Sequence, residues 1–288
     1  MGNVNTPLIK EHRIDRVEKC LECIDKHAFN RNKQRDCVLS LYPTKNRSLE
    51  HREKSIFRGM VLPSLRYLGL TISHGQSIRL SANGKLIIAS HVFGDDFHNR
   101  VLRLVIYEID ENRFHFLDFI RNFSSHNRES LIEELSSGIT GPSEKQKRER
   151  IRHWLSALKQ VCLIDYVSES IFLNDKNMTQ TLKDIDASLN EMASFRRQFL
   201  DSYFELGRNS AGIVDIAELR EAVSIALLRN RRVILAEKQF DQMMRNIILE
   251  ANEYIVSLGK PMGARDKLFE RNGEYFRTVF IRRKREAR

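Results

Sequence analysis

Residues 65–81 read LRYLGLTISHGQSIRLS, and residues 158–174 read LKQVCLIDYVSESIFLN. At a constant offset of 93, Leu65, Leu70, Ser77, Ile78 and Leu80 return as Leu158, Leu163, Ser170, Ile171 and Leu173. Arg66 becomes Lys159, and Leu68 becomes Val161. Both stretches begin with helically spaced apolar residues and pass into two short alternating segments. In the first copy GLTIS and SIRLS are separated by HGQ, a Gly-containing link that predicts a hairpin. In the second, CLIDYV and IFLN flank Ser168, Glu169 and Ser170 as the turn.

Upstream of each copy the spacing predicts a helix. In the first it runs from about Ser48 to Tyr67 with a buried stripe of Phe57, Val61, Leu65 and Leu68. Pro63 has no donor for the carbonyl of Gly59, so a kink is expected there. In the second, Ser143 is expected to open a helix with Gln146 as its capping-box partner. Its stripe is Ile151, Trp154, Leu155, Leu158 and Val161. Residues 13–29 and the stretch NKQRDCVLSLYP predict two helices before the first of these. Ser81 reads as the N-cap of a short helix through KLIIAS, in preference to a hairpin turn at Asn83-Gly84.

VLRLVIYEID, FHFLDFIRNF and RESLIEELSS supply helices ahead of the second copy, the last ended by Gly138. Residues 175–190 read as a polar linker running into a helix. Beyond them come MASFRRQFLDSYFEL, a short strand GIVDI and helices AELREAVSIALLRN and EKQFDQMMRNIILEAN. YIVSL and YFRTVFIRR follow as two strands of a long hairpin, and RRKREAR is a solvated tail.

The whole chain has 288 residues, 41% hydrophobic and 30% charged, with 13 Gly and 5 Pro. At roughly 100–200 residues per domain, two or three small helix-rich domains are expected. The net charge of +10 makes a polyanion the expected partner, nucleic acid before membrane. No apolar run approaches the ~18 residues of a spanning helix. The opening MGNVNTPLIKEHR has no apolar leader core, and Met1-Gly2 does not extend into an acylation pattern. Four cysteines do not make a disulfide scaffold, so a reducing cytoplasm is expected.

A helix followed at once by a hairpin, with Leu68-Gly69-Leu70 at the joint, resembles the winged-helix form of helix-turn-helix domains. The resemblance rests on residues 48–90 and 143–174, and extends more weakly to 190–283, whose wing would be long. It implies a mainly α chain with small β-hairpins (α+β), in tandem winged-helix domains over 1–92 and 93–178, with a third, winged-helix-like domain at 179–288. It also implies that the last helix of each unit enters the major groove while the hairpin touches the backbone.

The charge pattern supports this independently. His51, Arg52, Lys54, Ser55 and Arg58 crowd the outward face of the first half of the 48–67 helix, where helix-turn-helix proteins reach base edges. Thr44, Lys45, Asn46 and Arg47 precede it and suit phosphate contact. Lys145, Lys147, Arg148, Arg150 and Arg152 occupy the matching region, 52 mapping to 145 and 54 to 147. Arg52 and Arg148 are the expected guanine readers, and Lys45 and Lys145 the expected phosphate contacts. In the third unit the candidates are Lys238, Gln242, Arg245 and Asn246, with Arg265, Lys267 and Arg271 in the wing; that helix is less basic and could contact protein instead. The bland alternative for all of these is a solvated helix face.

Other motifs are incomplete. Cys20-Leu21-Glu22-Cys23, with His27 on the same face and Cys37 nearby, lacks a knuckle turn and a second Cys pair, so small buried thiols are the expected reading rather than zinc. GRNSAGIVDIAEL lacks two carboxylates of a calcium loop. HNR occurs at 98–100 and 126–128 without nuclease-finger cysteines, and Asp165 and Glu169 lack a nuclease lysine. His153 reads as a groove-facing or satisfied surface histidine. No phosphate-binding loop or nucleophile elbow is present. No metal or cofactor is therefore expected. The expected function is sequence-specific binding of double-stranded DNA, as the non-catalytic recognition subunit of a DNA-processing, restriction or anti-phage/mobile-element system with a separate nuclease or ATPase. Alternatives are a transcription regulator or plasmid-type replication initiator, a nuclease with a divergent metal site, and a structural adaptor.

Overall fold

The computed structural model describes residues 9–43, 47–74, 77–123, 127–139, 143–208, 210–250, 253–261 and 267–284. In chain order the helices are α1 (Ile14–Lys26), α2 (Arg31–Ser40), α3 (Leu49–Arg52), α4 (Leu62–Tyr67), α5 (Ala82–Ser90), α6 (Asp95–Ile109), α7 (Phe116–Asn122), α8 (Arg128–Ser137), α9 (Glu144–Gln160), α10 (Asp175–Leu189), α11 (Met192–Gly207), α12 (Ile216–Arg231) and α13 (Glu237–Glu250). A π-helical run, Glu53–Val61, joins α3 to α4. The strands are β1 (Thr71–His74), β2 (Ser77–Leu80), β3 (Ile164–Val167), β4 (Ser170–Leu173), β5 (Ile213–Asp215), β6 (Tyr254–Gly259), β7 (Phe269–Arg271), β8 (Glu274–Phe276) and β9 (Thr278–Arg283). The chain is thus mostly helical with small antiparallel sheets.

The contacts divide it into two units: residues 1–80 with 90–182, and residues 81–89 with 183–288. The segments expected as domains 1–92 and 93–178 fall largely in the first unit, whose two copies share a core. Phe114 lies edge-on to Trp154 of the second copy at 4.7 Å and stacks at 5.6 Å on Tyr67 of the first. The second unit packs α11, α12 and α13 on a three-stranded sheet of order β5-β9-β6 around Phe195, Phe199, Leu219 and Phe240. The long hairpin expected there exists as β6 and β9, paired from Tyr254↔Arg283 to Gly259↔Thr278, with β7 and β8 as a further hairpin between them.

The sequence repeat is a structural repeat, bond for bond. β1 pairs β2 from Thr71↔Leu80 to His74↔Ser77, and β3 pairs β4 from Ile164↔Leu173 to Val167↔Ser170, the same register at the same offset. The helices before them end alike. Leu70 N–H reaches the Leu65 carbonyl at 2.9 Å and Gly69 N–H that of Arg66 at 2.9 Å; Leu163 and Cys162 do the same to Leu158 and Lys159 at 3.0 and 2.9 Å. This is the Schellman motif, which needs a left-handed residue after the helix. Gly69 (φ 68°) and Cys162 (φ 58°) supply it. Leu65, Leu70 and Ile78 are buried, as are Leu158, Leu163 and Ile171, the apolar setting that commonly accompanies this motif.

All stripe residues named from the sequence are buried. Ser81 does cap α5, its hydroxyl accepting from Gly84 N–H at 3.2 Å. Four local expectations are corrected. The break at Pro63 is spread over nine residues of π-helix, and the freed carbonyl of Gly59 accepts from Lys10 Nζ at 3.0 Å. Gly59 allows the wider turn, because a Cβ there would stand 2.8 Å from the Lys54 carbonyl oxygen. The capping box at Ser143 does not form: its side chain makes no cap bond. Glu144 instead accepts from the Ser136 hydroxyl. Residues 175–189 are helical from their first residue, with Thr181 and Asp184 buried on one face, rather than a linker. Finally, Cys23 and Cys37 are not free thiols; a disulfide joins α1 to α2 across a Cα separation of 5.6 Å. α1 and α2 pack side by side, which brings the two positions within bridging range. Cys20 and Cys162 stay reduced.

A short N-terminal segment ties the two copies together. Its Lys10 and Glu11 N–H groups both donate to the Ser64 hydroxyl at 3.1 Å, on α4. On α9, His153 Nδ1 meets the Ile9 carbonyl at 3.1 Å and its ring stacks on His12 at 4.1 Å. Gln160 accepts from Ile14 N–H at 2.9 Å and donates to the His12 carbonyl at 3.1 Å. His153 is thus a satisfied histidine. Burial and then the neighbouring His153 push the His12 imidazole below its ordinary value.

Candidate nucleic-acid interface

Along the first helix, Arg47, His51, Lys54, Ser55 and Arg58 are exposed. Lys45, Asn46 and Arg265 lie outside the described residues. Ser55 is turned to its own helix, its hydroxyl donating to the His51 carbonyl at 2.7 Å. Arg58 is held on Glu53 at 2.5 Å, and Glu53 also takes Arg35 at 3.1 Å. The Arg58 hydrogen bond chiefly, with Arg35, holds the Glu53 carboxyl below its usual range. Arg52, expected to point at a base, faces inward. Its guanidinium donates to the carbonyls of Leu39 at 2.6 Å and Tyr42 at 3.2 Å, at and just past the end of α2, adding to the Tyr42 N–H bond that the Leu39 carbonyl already accepts. A cation at a helix C-terminus also suits the dipole.

The second helix carries its cations on two sides. Arg148 bridges Glu133 and Glu144, both at 3.2 Å, and Arg152 donates to Glu129 at 2.7 Å. Glu129 and Glu133 are one turn apart on α8, and Arg152 and Arg148 one turn apart on α9, so the two rows meet as the helices pack side by side. Lys147 lies half-covered between the Ser136 carbonyl at 3.4 Å and Glu144 at 3.7 Å. Lys145 is exposed and Arg150 half-exposed, neither with an ion-pair partner among the described residues. Beside the hairpin, Lys159 Nζ sits 4.5 Å and Arg128 5.2 Å from the centre of the Tyr166 ring.

In the second unit two of the candidates are bound up in the fold. Lys267 is paired with Glu237, and Arg245 donates to the Glu270 carbonyl at 2.9 Å and meets its carboxylate at 3.3 Å. Lys238 and Gln242 are exposed on α13, as is Asn246; Arg271 is half-exposed on β7. Arg220, which the sequence did not single out, is buried: it grips Asp241 at 2.7 and 2.9 Å and donates to the Lys267 carbonyl at 2.8 Å.

The cations were legible in the sequence and their partners were not. The spacing of Glu129 and Glu133 is a signal that reading α8 against α9 would have used. A separate cluster in the first unit was also missed: Glu18, His91 and His98 converge from positions far apart in the chain. Comparison with family models, characterised proteins and solved structures returned no match to this chain.

Proposed function

We propose that this chain binds double-stranded DNA through its two helix–hairpin units, as a recognition component working beside a separate nuclease or ATPase. One observation carries the reading. The same helix end, left-handed joint and hairpin are built twice in one unit, each after a helix whose first half bears exposed cations.

The paired residues modify what should be seen. Arg47, Lys54, Lys145 and Arg150 have no ion-pair partner among the described residues. These four give a slope of log affinity against log salt near −4, shallower than a count of every basic residue would suggest. Arg148 and Arg152 sit in solvent-exposed pairs, and such pairs contribute little, so a phosphate or guanine can replace the glutamate. Arg52 is already used as a helix cap.

Fluorescence anisotropy of labelled duplexes between 50 and 200 mM salt, with binding selection on randomised duplexes, tests this. Lys54→Ala and Lys145→Ala each weaken all duplexes alike and reduce the slope by about one unit. Arg148→Ala relaxes preference at one or two positions. Arg52→Ala loosens the end of α2 without altering the selected sequence. A slope near zero, or no binding at low salt, overturns the proposal.

A further inference from the structure

We infer that the first unit contains a zinc-class divalent metal site formed by Glu18 of α1, His91 in the turn after α5, and His98 of α6. The three ligand atoms lie within 4.8 Å of one another. Tetrahedral zinc with bonds of about 2.0–2.1 Å holds its ligands about 3.3 Å apart, so small side-chain movements suffice. His98 Nε2 stands 2.5 Å from Glu18 Oε1, and His91 Nε2 stands 3.6 Å from the same oxygen.

A simple histidine–carboxylate hydrogen bond accounts for His98 and Glu18. It does not require a second imidazole, yet His91 is stacked on His98 at 3.9 Å with its Nε2 turned to that oxygen. Glu18 is largely enclosed, its side chain 15% exposed, and its ion pairs among the described residues are both with histidines. An enclosed carboxylate facing two imidazoles, with no lysine or arginine among those partners, is the setting a divalent cation completes.

The outer ring of the site is built as well. Ser90 Oγ meets His98 Nδ1 at 2.7 Å. With Nδ1–H donating to that hydroxyl, Nε2 keeps its lone pair for a metal, the usual arrangement of ligating histidines. Entry is open on one side, where His91 is 41% exposed and Glu22, 3.9 Å from its Nε2, is 54% exposed. Two nitrogens and one carboxylate leave a fourth position for solvent. The ion would tie α1 of the first copy to the segment that leads into the second.

The test uses the full chain with any affinity tag removed and Cys162→Ser as background, so that the exposed thiol takes no metal. After chelation and dialysis it is titrated with Co²⁺ and then Zn²⁺. The expected result is one Co²⁺ per chain with the visible absorption of four-coordinate cobalt, bleached by one equivalent of Zn²⁺. Glu18→Gln and His91→Gln abolish that signal; His91 is exposed enough for its variant to keep the parent far-UV spectrum. Ser90→Ala lowers affinity by about 10- to 100-fold while preserving one site per chain. No stoichiometric uptake, or uptake unchanged in the Glu18 and His91 variants, overturns the assignment whatever the outcome with DNA.

Discussion

At position 162 the second copy asks of a cysteine what the first asks of a glycine. Both residues sit at left-handed φ, and a side chain there crowds the backbone. Gly69 meets the demand freely; Cys162 meets it because the two cap bonds and the burial of Leu158 and Leu163 hold the turn in place. Cys162→Gly should therefore stabilise the chain by about 0.5–1 kcal/mol, read as a higher urea midpoint at constant slope. Gly69→Ala should lower it by a similar amount. The Schellman joint was half legible: Leu68-Gly69-Leu70 advertises it, whereas Val161-Cys162-Leu163 does so only through the repeat. The free thiols differ sharply. Burial pushes the Cys20 thiol up to about 12, partly offset by Tyr42, while Cys162 is exposed. Ellman's reagent should find one fast thiol in the native chain, two after denaturation and four after reduction and denaturation. Four without reduction would refute the bridge between Cys23 and Cys37.

Among elements, that bridge and the buried carboxylate of Asp110 set stability in opposite ways. Cys23 and Cys37 are separated by 14 residues. Closing a loop of that length contributes about 3 kcal/mol by restricting the unfolded chain. Adding reductant should lower the urea midpoint of the parent and leave that of a Cys23→Ser/Cys37→Ser double variant unchanged. Asp110 accepts from Trp154 Nε1 at 2.6 Å and from Leu117 N–H at 2.9 Å, so it anchors the core tryptophan and opens α7. Burial outweighs these bonds and raises its carboxyl to about 6. The folded chain therefore holds this proton more tightly than the unfolded one. The contribution is whole below about pH 4 and is lost as pH rises through 6, on the order of 3 kcal/mol. Urea titrations across pH 4–7 should show that decline, and it should be absent in Asp110→Asn. The sequence exposed the apolar stripes and both hairpins because their periods are local. It could not expose the π-helical widening, because the Lys10 ammonium that takes up the freed carbonyl comes from another part of the chain.

At the scale of the whole molecule, a buried ion pair anchors one unit. In this second unit, Arg220 is buried with two bonds to Asp241 and one to the Lys267 backbone. Removing one member of such a pair strands the other, so Arg220→Ala should cost about 3–5 kcal/mol. Chemical unfolding followed through that unit's Tyr203 and Phe240 region by hydrogen exchange checks it. The division into two units was not readable in the sequence, because the apolar residues that join the first two copies, Tyr67, Phe114 and Trp154, look like ordinary core residues within their own segments. The N-terminal segment that touches both α4 and α9 has a further consequence on the DNA reading. Two reading helices joined by a flexible tether would accept their targets at many separations. These two are pinned to one strip of backbone. Inserting a single base pair between their targets turns the second by about 35° around the duplex axis, away from its helix. A series of duplexes differing only in that gap should then show one sharp affinity maximum, so that distance along the DNA is itself part of what is recognised.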